Sequence, residues 1–592
     1  MLKRNLIIPV LIIFSLLPAN AQVKKKETGL KREVTLYNPY KPSLPESQKR
    51  SFLPDLNDTS KVRPDFRYDV KTTPFLPEYT ISPIKAASLL PDPLPKLYKG
   101  YINLGIGNYL TPLAEVSVTN ERSKKGSIGF YGRHFSSNGK VELDNGRMVF
   151  AGYMDNDVSL FGSKFFRNNV LKTSVDFSQK IRYAYGYSPI TTEYFNPLLM
   201  DFTPGKGDIR MRYNNSGAKA SLSSLNLDST RLSYKFEVYY NYFYNEKNLF
   251  QHSAGFSGIV SKSYEGLYIG SGINYDYCRL PDSLLITPKY IFSISPFIKK
   301  SSEKWSYKLG IEALLDRNMT ATARFHLYPD VNISLNVVPS YVSFFAGISG
   351  KLDKNEPSAI ISENPYLIRD GSLFKLPNTS HDLVISSGLR GNTGLGGNYM
   401  VSASYSVISN MLFYSNNVVT DSVNVTSRGS YFSAVTDDAE VLNVHAEMSG
   451  PINDKLSFFG AANLYKYTLS KFKYAWDKPD WEAKLGLKYN LRDKIIAGID
   501  ISAQGKRREI VNGYLQNLPV QEANPTVPIN PGQEYIFQMP FHLNLNISAE
   551  YRYSKILSFW TKLNNIANNR YYEWVFYPSQ GFLFMVGFTY SL

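Results

Sequence analysis

Six histidines, one cysteine and two close acidic pairs are the side chains here whose types could carry chemistry. The histidines are His134, His252, His326, His381, His445 and His542, and no two stand at HExxH-like spacing for a shared metal. Cys278 is alone, so it forms no intrachain disulfide and supplies no thiolate pair for zinc. GxSxG elbows, P-loops and dinucleotide fingerprints are missing from the sequence. Asp437-Asp438 and Asp155/Asp157 remain. Facing a lumen or a loop they could hold cations or sugar hydroxyls, and otherwise they are solvated wall charges. The pattern speaks against an enzyme and asks for no cofactor or metal, and each histidine reads as an isolated lumen, girdle or loop residue.

The elements that would position these residues show in the last stretch of the chain. From Phe582 to Leu592 one parity is Phe582, Phe584, Val586, Phe588, Tyr590 and Leu592. The other is Leu583, Met585, Gly587, Thr589 and Ser591. A period of two is a strand's period. HLNLNISAEYRY repeats it, with Leu543, Leu545, Ile547, Ala549, Tyr551 and Tyr553 on one face. EAKLGLKYN does so with Ala483, Leu485, Leu487 and Tyr489. Aromatic residues reach 14% of the 592 residues and charged ones 20%. Past the first residues no apolar run approaches the ~18 needed for a membrane helix.

The first residues are a unit of their own. A basic start (Met1-Leu-Lys-Arg), an apolar run over 7–18 and Ala19-Asn20-Ala21 read as a signal peptide over 1–21, and no Cys follows the cleavage site to take a lipid. Residues 22–96 hold 11 of the 33 prolines, with 14 Lys or Arg against 9 Asp or Glu. That spacing of prolines leaves no room for a helix or central strand. The segment reads as an extended arm, periplasmic or filling a lumen, with Phe75, Leu76, Tyr79, Ile81, Ile84, Leu89, Leu90 and Leu94 as anchors. Read as a plain linker, the same segment needs no anchor. The formal charge of +16 is scattered singly, without a basic stripe, and suits an anionic leaflet or a solvated lumen rather than nucleic acid.

Over 97–592 about 22 alternating runs follow. Short connections at 121–126, 167–169, 226–230, 261–266, 299–304, 338–341, 391–396, 451–455, 491–494 and 553–555 alternate with longer ones such as 137–156, 184–207, 353–380, 411–430, 505–541 and 564–581. Short turns at one end and long loops at the other predict an all-β, transmembrane antiparallel β-barrel of the outer-membrane kind. Its last strand would pair with the first, around 98–109, and its greasy parity would meet lipid. Gly270-Ser271-Gly272 and Gly396-Gly397 read as strand glycines that relieve crowding. The loops 184–207, 505–541 and 353–380, the last with Asn364-Pro365-Tyr366-Leu367, are rich in Tyr, Pro and Asn, types suited to gripping sugars, peptides or a protein partner.

At the C-terminus the run NISAEYRYSKILSFWTKLNNIANNRYYEWVFYPSQGFLFMVGFTYSL resembles the closing hairpin of TonB-dependent receptors. The resemblance rests on the Asn-rich Asn565-Ile566-Ala567-Asn568-Asn569-Arg570-Tyr571, a loop with Pro578 and Gly581, and a final aromatic strand. The processing site and the Tyr/Asn-rich strands resemble Bacteroidetes members. The resemblance implies a 22-strand barrel in the bacterial outer membrane, and an assembly signal at Phe588, Tyr590 and Leu592 read by the barrel-assembly machinery, with Leu592 where the family usually ends in Phe. Residues 22–96 are too short and too proline-rich for the family's plug domain. The nearest TonB-contacting segment is Glu33, Val34, Thr35 and Leu36, ahead of which stands Arg32. Two functional classes follow. One moves a solute across the outer membrane with arm or loops occluding the lumen. The other is a non-catalytic barrel subunit of a secretion, assembly or surface-export complex, partnered by a surface lipoprotein or other envelope subunits.

Overall fold

The computed structural model describes residues 98–592, apart from stretches at 121–122, 144–145, 147, 187–204, 208, 226–230, 247–248, 282–287, 319–321, 368–375, 395, 419–429, 514–520 and 523–533. The signal peptide, the arm and the segment Glu33–Leu36 lie outside the described residues. From Gly100 onward the alternating runs pair in antiparallel register with their sequence neighbours, and the circle of 22 strands closes. The first strand, Gly100–Gly107, pairs with the last, Leu583–Ser591, through Tyr101↔Ser591 to Gly107↔Met585. The Lys99 N–H donates to the Leu592 carbonyl at 2.9 Å, and the Leu592 N–H donates to the Gly100 carbonyl at 2.8 Å. The ladder is thus paired to the final residue.

The two parities land on opposite faces. Phe584, Val586, Phe588, Tyr590 and Leu592 are 37–44% exposed on the outside, while Met585 is 3% exposed. Leu104, Ile106, Leu160, Ile311, Leu389, Val444, Leu485 and Phe559 continue the same outward band around the cylinder. Because hydrocarbon offers no partner to a peptide group, a sheet that meets it must close. The inward parity is largely polar: Glu115 accepts from Tyr101, Asn103 and Tyr131, and Glu482 accepts from Asn463 and Tyr465.

Height is uneven. The strands flanking the closure are 8–9 residues long, whereas Asn398–Val418 and Ser430–Pro451 run 21 and 22 residues. Roughly 9–11 residues cross a bilayer, so these two rise well above the long-loop rim as a paired wall. Three local expectations shift. Residues 411–418 of the connection expected at 411–430 extend the strand Asn398–Val418, paired with Ser430–Pro451. Gly396-Gly397 belongs to the turn before Asn398, where Gly394 and Gly396 take φ of 80° and 82°; the tight turn needs the left-handed backbone, so they are turn glycines and not strand glycines. The connection at 137–156 carries its own small hairpin, Lys140–Glu142 with Met148–Phe150.

The closing seam has a specific lock. Gly105 and Gly587 face each other across it, and the inward Trp560 indole, from the strand Leu557–Asn564, lies over both. A Cβ on either glycine would run into the ring. The indole N–H donates to Asn103 Oδ1 at 2.7 Å, tying three strands at one point. Trp560→Ala should lower barrel stability by about 2–3 kcal/mol, less than a fully buried Trp because the ring is half-buried, while Trp560→Phe should recover most of the loss. The temperature at which the compact band of the unboiled protein disappears in SDS electrophoresis reports this, and an unchanged temperature for Trp560→Ala would remove the lock.

Candidate functional site

Long connections have their own backbone to satisfy, and here they do so by packing on one another. The connection between the thirteenth and fourteenth strands (Val342–Asp353 and Thr379–Asn392) carries the helix α1, Pro357–Glu363. Its approach is pinned to the inner wall. Gln251 Nε2 and Ser253 Oγ donate to Glu356 at 2.5 and 3.1 Å, and the Ser358 N–H donates to Gln251 Oε1 at 3.0 Å. Lys354 reaches Asp276 at 3.1 Å. From α1 the chain continues through Asn364-Pro365-Tyr366-Leu367, the stretch singled out in the sequence for gripping a partner.

Tyr366 stacks on Tyr577 at 3.8 Å between centroids. Tyr577 comes from the connection between the last two strands, through the short pair Tyr572–Trp574 and Tyr577–Pro578. Tyr185, after the fifth strand Asn169–Tyr183, donates to the Pro578 carbonyl at 2.9 Å. These connections leave the rim six to eight strands apart around the closed barrel, so their contact crosses the bore. Val575 and Tyr577 are wholly buried, as are Tyr414 and Phe432 from the tall wall, and Val511 and Met539 join them from the hairpin Arg507–Gly513 with Glu534–Met539. Loop side chains this deeply buried form an apolar core, and that core is a lid over one mouth of the barrel.

A charged tie holds three of the lid's pieces. Arg507 donates to Asp477 Oδ1 at 2.7 Å, to the Tyr572 carbonyl at 2.6 Å and to the Glu573 carbonyl at 3.1 Å. Its side chain and that of Asp477 are only 11% and 8% exposed. Glu509, two residues on, is fully buried, and neither carboxylate oxygen has a hydrogen-bond partner among the described residues. Burial pushes its carboxyl well above the usual range, and the Asp477 carboxylate adds to that; Arg507 and Lys478 oppose it.

Beneath the lid lies a cavity of about 300 Å³. Its wall side is Ser178, Lys180, Arg182, Tyr213 and Asn215 from the fifth and sixth strands, and its lid side is Glu363, Tyr366, Glu573 and Trp574. Arg182 binds Asp155 through two hydrogen bonds, 2.7 and 3.2 Å. Lys180 has no ion-pair partner among the described residues and presents a free ammonium to the cavity, opposite the Glu573 side chain. Aromatic faces, a free cation and a carboxylate around a space of this size suit a small polar solute.

The residues weighed in the sequence are dispersed. Asp155 serves Arg182 at the cavity edge, and Asp157 takes Ser178 at 2.8 Å and lies 3.8 Å from Arg133. Asp437 accepts from the Lys471 and Phe472 N–H groups, both at 2.9 Å, and Asp438 accepts from the Asn410 N–H at 2.9 Å; the pair staples a turn. His134 meets Asn156, His252 meets Tyr240, His381 meets Asp353 and His445 meets Asn463. His326 stacks on Tyr328 and His542 on Tyr571. Cys278 is 4% exposed. Phe588, Tyr590 and Leu592 line the outer face of the last strand. Much of 184–207 and 505–541 lies outside the described residues. Lys180, Arg507, Glu509 and Glu573 were missed; Glu509 alternates within a polar strand and carries no mark of burial.

Glu509 also makes the lid sensitive to pH. An acid whose folded pKa exceeds its unfolded value of ~4.3 favours the folded lid fully below that value and progressively loses this as pH rises to the folded pKa. As pH rises above ~4.3 the wild-type lid therefore carries a growing penalty. Glu509→Gln should slow hydrogen exchange of the 507–511 amides by about tenfold or more at pH 7, since one pKa unit is a factor of ten, with the gap closing near pH 4. An equal exchange rate at pH 7 would place Glu509 in contact with solvent.

No family model and no curated protein matches the chain. Solved structures do. The copper transporter OprC aligns over 84% of this chain and 81% of its own, with 12% identity and a TM-score of 0.57. The FrpB iron transporter from Neisseria meningitidis (F5-1 variant) aligns over 84% and 83%, with 11% identity and a TM-score of 0.60. The pyoverdine outer membrane receptor FpvA from Pseudomonas aeruginosa PAO1 aligns over 84% and 79%, with 12% identity and a TM-score of 0.59. At such identity the likeness is one of fold, and the fold is the 22-strand barrel of the TonB-dependent receptors that the C-terminal hairpin resembles.

Proposed function

We propose that this chain is an integral outer-membrane barrel of the TonB-dependent-receptor kind, Bacteroidetes type, that admits a small polar solute across the membrane. The observation that carries the reading is the closed bore with a lipid-facing outer parity, shut at one mouth by interlocked loops above a cavity bearing Lys180, Arg182 and Glu573. Structures of the same fold are named for copper, iron and pyoverdine, which supports a transport role and small cargo. The signal peptide over 1–21 exports the chain, the barrel-assembly machinery inserts it through Phe588, Tyr590 and Leu592, and the barrel is not an enzyme. In this reading the arm over 22–96 takes the place of a plug domain and occludes the bore together with the loops, and Glu33–Leu36 is the segment offered to TonB.

A second reading is supported by the tall pair Asn398–Val418 and Ser430–Pro451, which rises beyond what a bilayer requires. Such a wall is a ready surface for a lipoprotein or another envelope subunit, and the barrel would then serve a secretion, assembly or export complex.

Purification of the tagged native protein in mild detergent, with mass spectrometry of stoichiometric partners, separates the two. Planar-bilayer conductance with and without residues 22–96 completes the comparison. Transport predicts recovery of the barrel without stoichiometric partners, low conductance for the full chain and a sustained rise on removing the arm. A partner recovered one-to-one, with conductance low in both forms, would select the second reading.

A further inference from the structure

The strand Arg507–Gly513 has two faces, and only one of them belongs to the lid core. Arg507, Glu509 and Val511 share the buried face, so strand parity turns Arg508 the other way. There it meets the connection at 470–480, which joins the strands Leu456–Leu469 and Trp481–Leu491. The Asp477 N–H donates to the Arg508 carbonyl at 2.8 Å, while Asp437 holds the Lys471 and Phe472 N–H groups. The connection is thus fastened to hairpin and wall alike. The Arg508 guanidinium lies 4.5 Å from the centroid of the Tyr474 ring, and the Lys473 ammonium lies 5.2 Å from the same centroid. Lys478 and Lys506 complete the lining of a cavity of about 190 Å³, which the wall borders with Tyr467.

The charges around this cavity do not balance. Arg507 is spent on Asp477, and Lys478 lies 3.4 Å from Glu363. Lys473, Lys506 and Arg508 form no ion pair among the described residues, and neither does Asp480, the one carboxylate in the lining. Lys466 also borders the cavity, but it shares the outward parity of Leu464, and its side chain points away from the site. Two cations on one ring repel each other, and an anion between them reverses the sign of that interaction. Size decides what the anion is. Sites for whole small molecules run to ~300–1,000 Å³, so this space takes one group rather than a complete solute. A guanidinium fork with ammonium groups from three further positions suits a tetrahedral oxyanion, which offers an oxygen to each. We propose that the cavity binds a phosphate- or sulfate-type oxyanion through Arg508, Lys473, Lys478 and Lys506. The bound group joins the hairpin to the connection 470–480 on the face opposite Arg507 and Asp477, whatever the barrel admits. Two sources carry that chemistry: dissolved phosphate or sulfate, and the phosphorylated headgroups of lipid around the long-loop rim.

The test uses the full chain in phosphatidylcholine vesicles at low ionic strength and neutral pH, read by hydrogen exchange of the amides at 471–478 and 507–511. Inorganic phosphate or sulfate should slow this exchange saturably, the Asp477 N–H included, relative to chloride at equal ionic strength. Lys473 and Lys506 are exposed, so Lys473→Gln/Lys506→Gln leaves the fold alone. It should raise the half-saturating concentration about tenfold or more, the factor carried by one charge-assisted hydrogen bond. Arg508→Lys keeps the charge, loses the fork and should show a smaller rise. The compact unboiled band in SDS electrophoresis checks that each variant is folded. Vesicles that also contain lipid A, with its phosphates intact or removed, identify the source. Protection by free phosphate in phosphatidylcholine alone assigns the dissolved ion, and protection only from phosphorylated lipid A assigns the headgroup; either result upholds the site. Exchange unchanged by phosphate, sulfate and phosphorylated lipid A alike overturns it. Protection that is equal in wild type and Lys473→Gln/Lys506→Gln also overturns it, because the anion then acts elsewhere, as does protection that survives removal of the lipid phosphates without added anion.

Discussion

Every peptide group of a strand that meets hydrocarbon must find its partner within the sheet, and the architecture follows from that requirement. An unpaired edge in lipid would leave a row of N–H and C=O groups without water. The chain meets this at Gly100–Gly107 and Leu583–Ser591, which pair along their length and are tied at the rim through Lys99, Gly100 and Leu592. Closure then fixes the two faces, because strand parity allows one outward set and one inward set. A one-residue slip at the seam would send Phe584, Val586 and Phe588 into the bore and Thr589 into lipid. The Trp560 indole over Gly105 and Gly587 accepts only one register, so the lock acts on alignment as well as on stability.

Closure with 22 strands creates a second problem. Small barrels fill their interiors with side chains, but a barrel of this size leaves a wide bore. Here the long connections reach from opposite sides and build a core in which Tyr366, Tyr577, Tyr414 and Phe432 are buried as deeply as in a soluble domain. That core joins loop residues to strand residues, Tyr414 and Phe432 from the tall pair and Tyr213 and Phe243 from the wall, so the lid is anchored on the barrel ladder. Arg507 is central to it because one guanidinium serves Asp477 and two carbonyls of another loop. Removing it would leave Asp477 buried and unpaired, the costly way to break an ion pair. Glu509 works against the same core at neutral pH.

Much of this was legible in the sequence, for reasons that are local. The strands Leu456–Leu469, Trp481–Leu491 and His542–Arg552 announce themselves by alternation over one lipid-facing side, and the turns between them by Asn, Asp, Gly and Lys. The short and long connections fall at the ends where spacing alone put them. What stayed hidden depends on meetings between distant segments. Tyr366 and Tyr577 are separated by more than two hundred residues, and each looks in its own loop like a surface aromatic. Asp437 looks like half of an acidic pair, and only the turn at Lys471 and Phe472 shows it to be a staple. Phe459 and Gly486 are likewise unremarkable until the register sets one against the other.

The two ends of the bore are closed to different degrees, and the difference is chemical. At the long-loop mouth apolar loop residues are buried against one another, and the polar groups left over, such as Lys180 and Glu573, face a cavity where water or a polar solute can satisfy them. At the short-turn rim single apolar side chains, Phe161, Phe459 and Ile259, are 39–47% exposed on an inner wall that also carries the Lys219–Glu237 and Lys308–Asp330 ion pairs. Standing singly among charged neighbours, with Lys308 over Phe297, Arg390 over Phe345 and Lys562 over Trp560, they form no continuous apolar surface. The lid thus buries its apolar surface in one core, whereas the rim balances single apolar side chains against charge.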